Sequence, residues 1–151
     1  MGRTFLGLGV LAMLGLLTGA DAVACPGRYK GFDGKCYGFF PGGSYPEAVR
    51  FCSRQGAQLY MMRNPTEVFR LKQLLSKQPL KSFWVGLTDE NTSRTWAWSN
   101  GDALGVGDFT DWGNPADNDD QACVYARKES GYKWAVTGCG QKKAFICKKD
   151  P

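Results

Sequence analysis

The sequence predicts an α+β domain. Two amphipathic helix patterns come first, several short strand-like runs follow, and one long polar loop interrupts the strands, with no internal repeat and no linker. The first helix begins in "SYPEAVRFCSRQG". Ser44 and Glu47 form an S-x-x-E capping box, Gly56 stands where a helix should stop, and Ala48, Phe51 and Cys52 fall on one face. "NPTEVFRLKQLLSKQ" has the same logic: Asn64 is the N-cap, Pro65 fits the first helical position, and Glu67 lies three residues past the cap. Val68, Leu71, Leu74 and Leu75 then form an apolar stripe suited to a core. "FWVGL" reads as a strand, "TWAWSN" alternates aromatic residues, and "ACVYA", "YKWAV" and "AFICK" read as three strands closing the domain. Residues 101–120 are rich in Gly, Asp and Asn and follow neither period. A loop of about twenty residues is unusual inside a compact domain and is often functional.

The first two dozen residues have a different character. Arg3 supplies a positive start, "FLGLGVLAMLGLL" an apolar stretch, and "ADA" and "AVA" two small-x-small cleavage patterns. Residues 1–22 are therefore expected to be a signal peptide, with cleavage after 24 as the other option, and residues 23–151 one secreted, extracellular domain. The apolar stretch is short for a membrane span, and no later segment reads as one. The formal net charge is +5; losing Arg3 and Asp21 leaves it unchanged. The basic residues are scattered, with short clusters at Lys142-Lys143 and Lys148-Lys149. A solvated surface explains them, although a mildly basic secreted protein can also approach anionic glycans, lipids or bacterial surfaces. Nothing resembles a nucleic-acid motif.

Cys25, Cys36, Cys52, Cys123, Cys139 and Cys147 are even in number, and in an oxidising compartment they imply three disulfides with fifteen conceivable pairings. A zinc site is excluded because the chain has no histidine and no Cys-x-x-Cys pair. The lack of histidine also removes every Ser-His or Cys-His nucleophile pair. No pair of acids stands in an apolar setting that would raise one pKa for two-carboxylate hydrolysis. The expectation is a protein that is not an enzyme.

Together these segments resemble the C-type lectin-like domain family over essentially the whole mature region. "CPGRYKGFDGKCYGFF" is similar to the family's long-form N-terminal hairpin, "WVGLTDENTSRTWAWSNG" to its "WIGL…W.W.DG" signature, and "FTDWGNPADNDDQACVY" and "AFICK" to its long loop and closing strand. The resemblance implies two helices, two small antiparallel sheets, a long loop and the pairs Cys25–Cys36, Cys52–Cys147 and Cys123–Cys139. No cysteine is left over for a covalent dimer, so a monomer or non-covalent oligomer is expected.

In sugar-binding members the long loop carries Glu-Pro-Asn or Gln-Pro-Asp, an acid precedes the next cysteine by two residues, and Asn-Asp follows the tryptophan of the next strand. Those groups hold calcium and two sugar hydroxyls. Here the tripeptide is Asn114-Pro115-Ala116, the acid is replaced by Gln121, and Ala135 and Val136 follow Trp134. Calcium takes six to eight oxygen ligands, largely carboxylates and carbonyls. The resemblance therefore implies a degenerate, calcium-independent site, with no cofactor and no metal ligand. A weak, shifted calcium site built from Asp89, Asp117 and a neighbouring acid is the alternative, but Asp and Asn favour turns for their own reasons. The candidate ligand-binding residues are Asn114, Asp117, Asn118, Asp119, Asp120 and Gln121. Asn91-Thr92-Ser93 is an N-glycosylation sequon. Trp84, Trp96 and Trp98 read as core; Tyr125, Tyr132 and Trp134 read as core first and as sugar-stacking surfaces second. The expected partner is a glycan or microbial surface. The alternatives are a mineral, as in the eggshell-matrix members that also lack a stalk, or another protein, as in venom-type and ice-binding members.

Overall fold

The computed structural model describes residues 24–91, 95–113 and 123–151. Chain order is β1 (Tyr29–Phe32), β2 (Lys35–Gly43), α1 (Tyr45–Arg54), β3 (Gln58–Leu59), α2 (Pro65–Leu75), β4 (Ser82–Thr88), β5 (Ala97–Trp98), β6 (Cys123–Arg127), β7 (Lys133–Thr137) and β8 (Lys143–Lys149). The expected α+β architecture and its two antiparallel groups of strands are present. One group is β1–β2–β8 with β3 on β8; the other is β7–β6–β4 with β5 on β4. A parallel pairing of β4 with β8, in which Phe83 faces Ala144, fuses them into a mixed sheet.

Both helices start as local chemistry dictates. Ser44 accepts from the Glu47 amide and the Glu47 carboxylate accepts from the Ser44 amide, a complete capping box. Asn64 accepts from the Thr66 and Glu67 amides, with Pro65 next. The Glu67 carboxylate does not turn back to this cap; it receives the Lys148 ammonium at 2.8 Å and clamps α2 to β8. The stripe on α2 is buried at Val68, Leu71 and Leu75, with Leu74 at its margin. On α1 the buried residues are Tyr45, Ala48 and Cys52, whereas Phe51 is 37% exposed. At 3.6 residues per turn Phe51 lies about a quarter-turn from the mean direction of those three. It therefore lies at the core's edge, its ring 4.6 Å from Phe40 and 5.3 Å from Phe145.

Strand β4 is buried on both faces and divides the interior. Phe83, Val85 and Leu87 join Leu71, Leu75, Trp98, Val124 and Trp134 in one cluster, while Trp84 points the other way into a second cluster with Phe40, Tyr45, Ala48 and Phe145. The Trp84 indole donates to the Gly43 carbonyl at 2.9 Å. Gly86 sits at φ +83°, and a Cβ there would stand 2.8 Å from the Tyr60 carbonyl. Only glycine lets β4 pass this close while its register with β6 shifts between Trp84 and Thr88. Tyr132 adopts φ +60° and is held by burial and by its hydroxyl, which lies 3.1 Å from both the Leu75 and Leu80 carbonyls. The disulfides are Cys25–Cys36, Cys52–Cys147 and Cys123–Cys139, with Cα–Cα distances of 5.6, 5.4 and 5.0 Å.

Candidate functional site at the base of the long loop

Asn114, Asp117, Asn118, Asp119, Asp120 and Gln121 all lie outside the described residues, as do Pro115 and Ala116. What the structure supplies is the frame from which that loop leaves and to which it returns. The way out is built from tryptophans. Trp112 pairs with Trp134 in a parallel bridge: the Trp134 amide donates to the Asp111 carbonyl at 2.8 Å, and the Gly113 amide donates to the Trp134 carbonyl at 2.9 Å. Trp134 is fully buried and makes edge contacts with Trp98, Phe109 and Trp112 at 5.9, 6.0 and 5.3 Å. Trp96 is half-buried and leans on Trp112 at 5.3 Å. Of the aromatics expected in the core, Trp84, Trp98, Tyr132 and Trp134 are buried, and Tyr125 is half-exposed.

Acids in the described part of the loop are engaged with the fold. Asp111 bridges Lys72 of α2 at 2.5 Å and Lys133 of β7 at 2.7 Å, its side chain only 10% exposed. Burial works to raise its pKa, but the hydrogen bonds and charges of Lys133 and Lys72 together outweigh that and hold the carboxyl below its ordinary value. Asp102 accepts from Arg63 at 2.7 Å and from Asn100 at 3.0 Å, so Arg63 first and Asn100 second hold its carboxyl low too. Asp108 accepts from the Gly105 amide at 2.7 Å. The motif reading gave Asp111 and Trp112 no role; Asp111's partners come from elements 39 and 22 residues away, and no local pattern announces them.

Asp89 follows β4 and is buried at 8% exposure. Beside it, Thr88 Oγ1 lies 3.3 Å from Cys123 Sγ and 3.9 Å from Cys139 Sγ, and accepts from the Glu90 amide at 3.0 Å. The Glu90 carboxylate and these two sulfurs converge within 4.8 Å. They do not make a metal site, because both sulfurs are bonded to each other and neither is a thiolate. On β7, Ala135 faces Tyr125 and Val136 faces Val124. Neither side chain carries an oxygen. Asn91 is exposed in a bend, with Thr92 and Ser93 outside the described residues.

Three disulfides, two capped helices, a strand buried on both faces and a long loop pinned at a Trp112–Trp134 bridge define a C-type lectin-like domain. The lectin C-type domain family matches residues 42–149, and the chain belongs to that family. It is similar to the C-type lectin lectoxin-Enh4 of Pseudoferania polylepis, 31% identical over 153 residues that cover 95% of each chain. It is also similar to Struthiocalcin-2 of Struthio camelus, 31% identical over 140 residues, covering 84% of this chain and 96% of that one. Among solved structures, a calcium-dependent type II antifreeze protein in its calcium-free form superposes with a TM-score of 0.70 at 30% identity, covering 83% of this chain and 99% of that one. No helix among the described residues is long and apolar enough to cross a membrane.

Proposed function

We propose that this is a secreted, non-enzymatic recognition protein that binds a glycan or a microbial surface through its long-loop face without the family's usual calcium chemistry. Residues 1–22 are its signal peptide in this reading, and Asn114, Asp117, Asn118, Asp119, Asp120 and Gln121 supply the contacts. The observation that carries the calcium part is the β7 pair. Ala135 and Val136 occupy the strand directly after Trp134, opposite Tyr125 and Val124, and bring no side-chain oxygen to a cation that needs six to eight. Asp102, Asp108 and Asp111 support the same view, since the fold already uses their carboxylates. The similarity to Struthiocalcin-2 keeps a mineral-matrix role as the rival.

The test is a glycan array probed with the secreted protein in calcium and then in excess chelator, with thermal unfolding under both conditions. The expected outcome is array binding that survives chelator and an unchanged midpoint. Calcium at a hundred times its Kd would stabilise the fold by about 2.7 kcal/mol, so a rise of that order overturns the calcium-independent reading. A blank array overturns the glycan reading and leaves the mineral and protein-partner readings.

A further inference from the structure

The outer face of the β6–β7 hairpin gathers three cations, of which Lys133 is paired with Asp111, Arg127 has only a distant Glu129, and Lys143 has no carboxylate partner among the described residues. Register places Tyr125 opposite Ala135 and Arg127 opposite Lys133, all four on one face. The small side chain of Ala135 leaves a recess of about 200 Å³, lined by Gly113, Arg127, Ser130, Lys133, Trp134 and Ala135. Arg127 Nε is buried and makes no hydrogen bond; Glu129 Oε1 stands 3.7 Å away. Lys143 of β8 lies over the half-exposed Tyr125 ring, its ammonium 3.9 Å from the centroid, and has no carboxylate partner among the described residues. Its pKa is held down first by burial and then by the charge of Arg127. Two cations that repel each other, one of them carrying an unsatisfied buried N–H, form an electrostatically incomplete site, and an anion completes it.

We propose that this face binds the oxyanion groups, sulfate or carboxylate, of an extracellular acidic polysaccharide. Arg127 receives one oxyanion through its planar fork, Lys143 supplies flanking charge, and Tyr125 offers an edge of ring for the sugar. The recess falls below the roughly 300 Å³ at which pockets begin to hold a whole drug-sized molecule, so it takes a substituent while the polymer runs along the surface. The proposal does not rest on the long-loop reading, since every residue it uses lies outside that loop's candidate set. The larger groove of about 530 Å³ at the other end of the molecule is a poorer candidate. Of its lysines, Lys35 is paired with Asp150, Lys148 with Glu67, and Lys149 donates to the Gln55 carbonyl.

The test is surface plasmon resonance of the full secreted chain on immobilised heparin at physiological salt. Arg127→Gln and Lys143→Gln should each weaken binding about tenfold, the effect of losing one hydrogen bond or contact to a charged group. The double variant Lys35→Gln/Lys149→Gln, which removes two charges at the other end, should change it less than about twofold. If Arg127→Gln does not fold, judged by its thermal midpoint, Lys143→Gln carries the test alone. Parallel binding of hyaluronate, which has carboxylates and no sulfate, would assign carboxylate as sufficient; heparin binding alone would assign sulfate. Either supports the proposal. Equal loss in the Lys35/Lys149 variant, no heparin binding at all, or binding to phosphatidylserine vesicles in place of heparin overturns it.

Discussion

The two groups of strands hold their cations to different degrees. In β1–β2–β8 and β3, each of Lys35, Lys148 and Lys149 has an acceptor, and two disulfides, Cys25–Cys36 and Cys52–Cys147, tie the elements together. In β4–β6–β7 with β5 there is one disulfide, Cys123–Cys139; Arg127 Nε and the Trp98 and Trp134 indole nitrogens are buried without hydrogen-bond partners among the described residues, and the Lys143 ammonium, reaching from the start of β8 over Tyr125 of β6, has no acid among them. A cation with its acceptor in place is fixed, whereas one without keeps unspent binding capacity. On the proposed reading the first group is scaffold and recognition belongs to the second, which also carries the base of the long loop.

The largest effect that can break this comparison is disulfide removal. Cys52–Cys147 spans 95 residues and joins α1 to β8; Cys123–Cys139 spans 16. Chain entropy assigns the first about 4–5 kcal/mol and the second about 3 kcal/mol. Domains of this kind are stable by only about 5–15 kcal/mol. Cys52→Ala/Cys147→Ala should therefore approach the unfolding threshold, while Cys123→Ala/Cys139→Ala should retain a cooperative transition at lower urea. Urea midpoints of the two variants decide it, and equal losses would erase the division between scaffold and recognition halves.

How much of this was legible from residues alone follows from distance along the chain. Both helix starts were readable, because Ser44–Glu47 and Asn64–Pro65 are contacts within one turn. The strands were readable from alternation and from β-branched and aromatic content. That Phe51 lies at the edge of its face was not readable, because an α-helical stripe has edges that a list of apolar residues does not mark. Strand β3 is two residues long, too short for any period, and its pairing with β8 comes from the tertiary fold. The loop base was the least legible part. Asp111 looks like any loop aspartate until α2 and β7 bring Lys72 and Lys133 to it. Arg127 and Lys143 stand on different strands, and nothing in "VYARKES" or "QKKAF" joins them.

Asp111 offers the next effect in size and tests how the loop base is held. Asp111→Asn keeps the shape and removes the charge that Lys72 and Lys133 share, an expected loss of about 1–3 kcal/mol at neutral pH. The folded carboxyl sits below its unfolded value near 3.9, so its stabilisation is present above about pH 4 and is lost as pH falls through the lower folded value. The gap between wild type and Asp111→Asn, followed by denaturation from pH 7 to pH 2, should close only in that acidic window. A gap that is constant over the whole range would mean that the ion pairs contribute nothing and that Trp112 and Trp134 hold the loop base unaided.

The smallest effect separates the two glutamates that share the third helical position. Glu47 closes its capping box and meets Lys142 across exposed surface at 2.8 Å. Glu67 abandons its cap for Lys148, with side chains only 18% and 30% exposed. Glutamine also serves in a capping box, so Glu47→Gln keeps the local bond and loses only a solvent-screened pair; no measurable change in midpoint is expected. Glu67→Gln loses a half-buried clamp between α2 and β8, expected at about 1 kcal/mol and only weakly reduced by added salt. If the two variants prove equivalent, or if 1 M salt abolishes the Glu67 effect, the half-buried Lys148 pair is no stronger than the exposed Lys142 pair, and the view that the first group holds its cations fast fails where it is most easily measured.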